Sequence, residues 1–199
     1  MNYLAHAHLS FGNPQILIGN MISDFVKGKK QYDFNSMIQK GIKLHRSIDS
    51  FTDAHPVTKE MKEVFKPAYG LYAGAFTDIV YDYFLANDSN EFTSHQELEL
   101  FSINSYMHIE KKLAELPTGF QLIFPYMKQY NWLYNYRYGW GIQKSFTGMV
   151  NRAKYMSDAD TAFTIFEDNI HHFKPHFDHF FPLLKNHAAD TFQQLLHAD

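Results

Sequence analysis

The sequence predicts an all-α protein, folded as a single-domain helical bundle over residues 1–199. Apolar side chains recur at helical spacing along most of the chain. Asparagine and proline stand where helices would start, and strand signals are nearly absent. No linker or internal repeat divides the chain, and its 199 residues match the roughly 100–200 residues typical of one domain.

The helix boundaries are predicted from caps and breakers. Asn13 is expected to cap the first long helix and Asn35 or Ser36 the next. Proline lacks the N–H that continues a helix, so Pro67 is expected to end the third predicted helix, 56–66. The predicted helices cover residues 14–27, 34–53, 56–66, 68–87, 92–115, 117–130, 142–155 and from 158 or 160 to 197, the last interrupted near Pro175 and Pro182.

The composition excludes several classes of protein. The chain holds 18 basic and 21 acidic residues, a formal net charge of −3, which gives no general drive toward nucleic acid or an anionic membrane. Cysteine is absent, which rules out a disulfide, a thiolate zinc site and a cysteine nucleophile. We found no signal peptide and no apolar run of membrane-spanning length, so we expect a cytoplasmic protein; nothing in the sequence defines its oligomeric state.

The most informative stretch is 68–85, which contains Asp78 and Asp82 in an apolar and aromatic run. Residues four apart lie on one face of a helix, and apolar residues surround this face. A buried carboxylate is costly unless it is paired or bound to a metal. The pair therefore indicates a directed polar site.

Three other segments offer groups that could converge on this pair. His6 and His8 share a side only if their segment is extended, because on a helix they diverge by about 200°. Asp24 lies in a mostly apolar run and is either a site residue or an exposed helix residue. His45 and Asp49 are four apart, and are either ligand and orienting carboxylate or an ordinary surface pair.

Two further regions leave alternatives open. His172 and His176 have metal-like spacing and form a rival site, although phenylalanines occupy the same turns. The aromatic segment 130–141 either packs over the core or lines a pocket for an extended ligand. Arg137 within it either contacts a phosphate or stacks on neighbouring rings.

Several segments, taken together and in order, resemble the acyl carrier protein phosphodiesterases. They are MNYLAHAHLS at 1–10, GNMISDFVKG at 19–28, GIKLHRSIDSFTD at 41–53, FTDIVYDYFL at 76–85 and WLYNYRYGWGIQKSFTGMVNR at 132–152. That family is similar to the HD-domain metal-dependent phosphohydrolases. This chain lacks their adjacent His-Asp pair, because Arg46 follows His45.

The resemblance implies an HD-domain-like all-α fold and removal of 4′-phosphopantetheine from the serine of holo-acyl carrier protein. It implies a divalent metal, Mn²⁺ in the first place or else Mg²⁺ or Fe²⁺. The expected metal ligands are His6, His8, Asp24, His45, Asp49, Asp78 and Asp82. Asp24, His45 and Arg46 are the expected catalytic residues, and Arg46, Arg137 and Lys27 the expected substrate contacts.

Acyl carrier protein is acidic, so a local basic patch is expected to dock it despite the negative net charge. The patch would consist of Lys27, Lys29, Lys30, Lys43 and Arg46. Two alternatives remain: a phosphohydrolase of the same site that acts on a nucleotide or another small phosphoester, and a non-enzymatic helical binding module whose polar pairs only structure its core.

Overall fold

The computed structural model describes residues 1–153, 156 and 158–197. These residues form an all-α fold, as predicted, and no strand is assigned among them. The helices are α1 (Tyr3–His8), α2 (Pro14–Ile22), α3 (Ser36–Ala54), α4 (Pro56–Tyr69), α5 (Ala73–Ala86), α6 (His95–Glu110), α7 (Thr118–Gln129), α8 (Trp132–Asn135), α9 (Gly139–Arg152) and α10 (Asp160–His197). The last two residues of the helix predicted at 142–155 lie outside the described part of the chain.

Both asparagine caps are confirmed. The side chain of Asn13 accepts backbone N–H groups from Gln15 and Ile16, at 3.0 and 3.1 Å. Asn35 accepts the backbone N–H of Ile38 at 3.0 Å. Each bond satisfies a donor that the first turn of a helix leaves without an intrahelical partner.

The predicted breaks at proline are wrong. Helix α4 runs through Pro67 and ends only at Gly70, whose φ of 51° is left-handed. Helix α10 continues through Pro175 and Pro182. Each internal proline costs about 3 kcal/mol, but α10 also buries several large side chains worth about 1.5–3 kcal/mol each. They are Phe173, Phe177, Phe180, Phe181 and Leu184.

The N-terminal segment is a helix and is not extended. Because α1 turns through about 100° per residue, His6 and His8 point in different directions. His6 is buried and faces α3, while His8 faces Phe92 and Phe101. The helical conformation therefore separates the two histidines that an extended segment would have placed on one side.

Helices α2 and α3 touch backbone to backbone. A Cβ atom on Gly19 would lie 2.1 Å from the carbonyl oxygen of Ile38, and one on Gly41 would lie 2.3 Å from that of Ile16. Only glycine fits at such a crossing. The contact brings the end of α2, and the 3₁₀ turn at Ser23–Phe25 that follows it, against the middle of α3.

Helix α10 covers the other side of α3 and also packs on α4, α5 and α9. Stacked phenylalanine rings connect these elements; the Phe65 ring lies 5.6 Å from the Phe173 ring, with the two planes within 5°. Among the described residues, no helix combines the length and the apolar character that a membrane crossing requires.

Candidate metal centre

Side chains from α1 and α3 meet in one buried group. The Nε2 atom of His6 lies 3.2 Å from Asp49 Oδ1, and the Nε2 atom of His45 lies 3.0 Å from Asp49 Oδ2. The two imidazole rings stack, with centroids 3.9 Å apart and planes inclined by 14°. One ligand atom from each of these three residues lies within 4.8 Å of the others.

Asn20 orients both histidines. The Nδ1–H of His45 donates to the backbone carbonyl of Asn20 at 2.8 Å, which leaves Nε2 directed at Asp49. The side-chain amide of Asn20 donates to the carbonyl oxygen of His6 at 2.7 Å and to Ser10 Oγ at 3.1 Å. A hydrogen bond from the far ring nitrogen is the usual way in which a ligating histidine is held.

Sequence reasoning gave Asn20 no role of its own. The signal was present, because Asn20 stands four residues before Asp24 in an otherwise apolar helix and is fully buried. A buried amide is costly unless it is hydrogen-bonded, and here the NH₂ group of Asn20 is bonded, while its Oδ1 accepts no hydrogen bond from the described residues. The four-residue spacing to Asp24 indicates that Asn20 belongs to a polar site. It does not reveal the actual partners, which are His6 on α1 and His45 on α3.

Asp24 adds a second carboxylate to the group. Its Oδ1 lies 3.3 Å from His45 Nε2, while its side chain remains 71% exposed. The hydrogen bond from His45 lowers the pKa of Asp24. Asp24 is therefore an ionised group that touches the buried cluster and is accessible from outside.

The two stacked histidines have opposite protonation preferences. Burial lowers the pKa of His45, but hydrogen bonds to Asp24 and Asp49 outweigh it and raise this pKa to about 9. Burial and the positive charge of His45 lower the pKa of His6 to about 4. Burial would raise the pKa of Asp49, but His45 and His6 hold it well below its usual range. Near neutral pH the group holds one imidazolium, one neutral imidazole and two carboxylates.

Asp78 lies beside this group, and its carboxylate and that of Asp49 both contact the amino group of Met1. The amino group of Met1 is 3.2 Å from Asp78 Oδ1 and 3.4 Å from Asp49 Oδ1. Burial raises the pKa of Asp78, while the Met1 charge opposes the shift. Asp78 thus borders the cluster formed by His6, His45 and Asp49.

Asp82 is not directed at the cluster. Its two oxygens accept the backbone N–H groups of Leu4 and Ala5, at 2.7 and 3.1 Å. These donors belong to the first turn of α1, where a negative charge is favourable. Burial raises the pKa of Asp82 to about 7. Asp82 holds in place the short helix that carries His6.

His8 is placed outside the group and makes a different contact. Its Nε2 lies 2.7 Å from Glu91 Oε2, and the Lys185 ammonium donates to both oxygens of Glu91 at 2.9 and 2.6 Å. This ion-pair network links α1 to α10. It lies on the opposite side of α1 from His6.

The rival histidine pair does not form a comparable group. The Nδ1–H of His176 donates to the carbonyl oxygen of His172 at 2.7 Å, and the Nε2 atom of His176 lies 3.1 Å from Glu60 Oε2. His172 is exposed, while His176 is partly buried where α10 meets α4. Within residues 1–153, 156 and 158–197, the one set of three or more metal-binding side chains in mutual reach is His6, His45 and Asp49.

The predicted phosphate contacts are distributed elsewhere. Arg46 donates to Gln31 Oε1 at 2.9 Å and to the Val26 carbonyl at 3.2 Å, which ties α3 to the segment before it. Arg137 stacks over the rings of Tyr134 and Tyr138. Lys27 is exposed beside Arg46.

A cavity of about 820 Å³ opens beside the cluster. Asp24, Asp78 and Met1 form one part of its wall, and residues of α8 and α9 form the opposite part. Two of its basic lining residues, Lys144 and Arg152, were not among the predicted phosphate contacts. The segment 130–141 therefore lines a pocket along part of its length, which was one of the two interpretations of its aromatic residues.

The residues of the cluster fit a divalent cation. Two imidazoles and two carboxylates are a donor set that Mn²⁺, Fe²⁺ and Zn²⁺ accept. Both ring nitrogens of His6 are buried, and neither makes a well-formed hydrogen bond to a described residue, although buried nitrogens are normally paired. The close contact of Nε2 is with Asp49 Oδ1, at 3.2 Å. A cation here would satisfy His6 and would replace the proton on His45.

The fold is all-α, and a histidine–carboxylate group lies beside its cavity. These features place the protein among helical proteins with a candidate metal centre. The sequence model described as acyl carrier protein phosphodiesterase matches residues 1–184, and the chain belongs to this family.

Relatives named acyl carrier protein phosphodiesterase match over nearly their whole length. The protein of Photorhabdus laumondii is 29% identical over 190 residues, which is 96% of each chain. That of Serratia proteamaculans is 30% identical, over 96% of this chain and 98% of its own. That of Pectobacterium atrosepticum is 30% identical over 92% and 94%. No solved structure matches, so the likeness to HD-domain enzymes stays a prediction.

Proposed function

We propose that the protein is a metal-dependent phosphodiesterase that removes 4′-phosphopantetheine from the serine of holo-acyl carrier protein. The observation that carries the proposal is the convergence of His6, His45 and Asp49 beside a cavity large enough for a prosthetic group. Membership of the acyl carrier protein phosphodiesterase family supports the choice of substrate. The cytoplasmic location expected from the sequence belongs to the same proposal.

The metal in this proposal is Mn²⁺, held by His6, His45 and Asp49 with Asp24 as a further ligand. Mixed imidazole and carboxylate ligands suit this ion. A divalent cation there supplies Lewis acidity, which activates water and neutralises phosphoryl charge. The lowered pKa values of Asp24 and Asp49 keep both carboxylates ionised, as ligands must be.

The proton needed by the leaving serine oxygen has to come from another group. Histidines that hold a cation through Nε2 cannot donate a proton from the same atom, so His6 and His45 are unsuited to this task. Asp78 lines the cavity, and burial raises its pKa. A carboxyl group with a raised pKa can act as a general acid near neutral pH, so we assign this role to Asp78.

The docking surface in the proposal is the exposed basic patch of Lys27, Lys29, Lys30, Lys43 and Arg46. All five side chains are exposed, and they follow Asp24 along the chain or lie on α3 beside His45. Arg46 holds the segment with three of these lysines against α3 through its bonds to Gln31 and Val26. An acidic partner would be steered toward the mouth of the site by this patch.

The decisive experiment is incubation of holo-acyl carrier protein with the purified protein and Mn²⁺, followed by intact mass spectrometry. We expect loss of the prosthetic group, which EDTA prevents and Asp24→Ala abolishes. Asp168→Ala is the matched control, because Asp168 is an exposed carboxylate on α10 and is not among the residues that line the cavity.

An unchanged mass with folded, Mn²⁺-loaded protein would exclude the substrate. Cleavage of nucleotides by the same preparation would then favour the small-phosphoester alternative. Absence of both bound and activating metal would favour the non-enzymatic module.

A further inference from the structure

We propose that the cavity between α5, α8 and α9 binds the phosphopantetheine arm of the substrate as an extended chain. The phosphate would lie near Asp24 and Arg152, and the amide groups near Asn131. This inference rests on the proposed function and specifies where its substrate lies. The cavity volume of about 820 Å³ is within the range of roughly 300–1,000 Å³ that small-molecule sites show.

The first support is an unpaired acceptor in the cavity wall. Asn131 lines the cavity, and its buried Oδ1 atom accepts no hydrogen bond from the part of the chain that the structure describes. A buried amide oxygen left unpaired costs about 1–3 kcal/mol. The phosphopantetheine arm carries secondary amides, each of which offers one N–H donor. An amide of the bound arm would satisfy Asn131.

The backbone at Asn131 supports the same position. Its φ of 41° and ψ of 57° are left-handed, and the following residue begins α8. Most residues other than glycine avoid this region. Asparagine is one of the few residues that tolerate this conformation, so its side chain can be aimed into the cavity.

The second support is the charge at the end of the cavity near the metal centre. Asp24 and Arg152 both line the cavity. Asp24 raises the pKa of the Tyr3 hydroxyl, in addition to the effect of burial, and Arg152 lowers it. Both charges therefore act on one hydroxyl group at the same end. A guanidinium there matches a phosphate group.

The third support is the shape of α9. Its cavity side carries Gly141, Ser145 and Gly148, which are small and leave the space open. Gly141 is also required by packing, because a Cβ atom there would lie 1.9 Å from the carbonyl oxygen of Asn135. A Cβ atom on Gly148 would instead meet only the Arg152 guanidinium, at 3.4 Å. Gly148 is therefore a position where the cavity can be filled without disturbing the backbone.

The protein contains its own reporter of this cavity. It has two tryptophans, Trp132 and Trp140, and both line the cavity. Titration of the full chain with free 4′-phosphopantetheine should therefore produce a saturable change in tryptophan fluorescence. Pantetheine, which lacks the phosphate, should bind more weakly by about tenfold.

Gly148→Phe fills the cavity and should weaken binding of 4′-phosphopantetheine at least about tenfold, or 1.4 kcal/mol. Thr147→Phe is the matched control, because it adds the same ring one residue away on the exposed side of α9. It should bind like the unmodified protein. Thermal melts of both variants establish that they are folded.

Two smaller substitutions test the ends of the arm. Arg152→Gln should remove most of the preference for 4′-phosphopantetheine over pantetheine, and because Arg152 is exposed this variant should fold normally. Asn131→Gly removes the acceptor but accepts the left-handed backbone. It should weaken both ligands by roughly two- to tenfold.

The outcomes separate this inference from the proposed function. If the unmodified protein cleaves holo-acyl carrier protein but its fluorescence ignores 4′-phosphopantetheine, or if Gly148→Phe binds and cleaves normally, the arm lies elsewhere and the inference is wrong. If 4′-phosphopantetheine binds and Gly148→Phe blocks it, the cavity assignment stands, even where holo-acyl carrier protein is not cleaved and the proposed reaction fails.

Discussion

Helices α3 and α10 each carry a pair of polar side chains four residues apart, and the two pairs have different surroundings. On α3, His45 is buried and both its ring nitrogens have partners, while Asp49 contacts a second histidine from α1. On α10, His172 is exposed, and His176 is partly buried and contacts Glu60 of α4. The spacing is the same, but only the first pair belongs to a group of three potential ligands.

The difference teaches that spacing on one helix does not define a metal site. Two donors on one turn are common on protein surfaces, where an ion pair contributes about 0–1 kcal/mol. A site also needs a third donor from a distant part of the chain and enough burial to exclude competing water. Helix α1 supplies the third donor. The glycine contact between α2 and α3 brings in Asn20, which orients the His45 ring and holds the backbone of His6.

The largest expected effect comes from removing one histidine from each pair. His45→Ala should lower kcat/KM on holo-acyl carrier protein by about a thousandfold, because a metal supplies several kcal/mol of transition-state stabilisation. His176→Ala should change it by no more than about twofold, as for most surface substitutions. Bound Mn²⁺, measured by mass spectrometry, should fall only in the first variant. Equal losses in the two variants would contradict the distinction between the pairs.

Helix positions and the α3 site pair were accessible from the sequence, because both depend on local spacing. Asn13, Asn35, His45 and Asp49 follow rules that act within one or two turns. His8 and Asp82 show the limit. Whether they join the site depends on the conformation of a six-residue helix, α1, that is too short to be stable alone and is held by contacts with distant residues.

The same limit explains why the helix breaks predicted at proline were wrong and why the lining of the cavity was not predicted. In a short window of sequence, a proline predicts a helix break. Helix α10 is nevertheless continuous, because its phenylalanines are buried against several helices. Local spacing gives no sign that Arg152 lines the same cavity as Asp24, because this depends on how α9 packs. Burial and packing between distant segments decide such cases, and neither is visible in a short window of sequence.

A smaller effect is expected from Asp82→Asn, which tests a third pair with the same spacing. If Asp82 only holds α1, this variant should still bind Mn²⁺ with unchanged stoichiometry but about 10- to 100-fold more weakly, as when an outer-shell partner is lost. Isothermal titration calorimetry measures both quantities. Asp49→Asn is the comparison and should lose specific binding. Complete loss in Asp82→Asn, with the fold intact, would make Asp82 a ligand.

The smallest effect is a proton count, and it distinguishes the two stacked histidines from each other. A ligating histidine must be neutral, so metal binding releases any proton that the metal-free ring carries. The pKa of His45 is about 9 and that of His6 about 4, so at pH 7.5 only His45 has a proton to lose. Calorimetric titrations with Mn²⁺ in buffers of different ionisation enthalpy should therefore report about one proton released, and the affinity should rise about tenfold per pH unit up to about pH 9.

Release of two protons would mean that His6 is also charged in the metal-free protein. An affinity nearly independent of pH between about 6.5 and 8.5 would mean either that His45 is already neutral there in the metal-free protein or that the cation is held without it, and either result would contradict the raised pKa of His45.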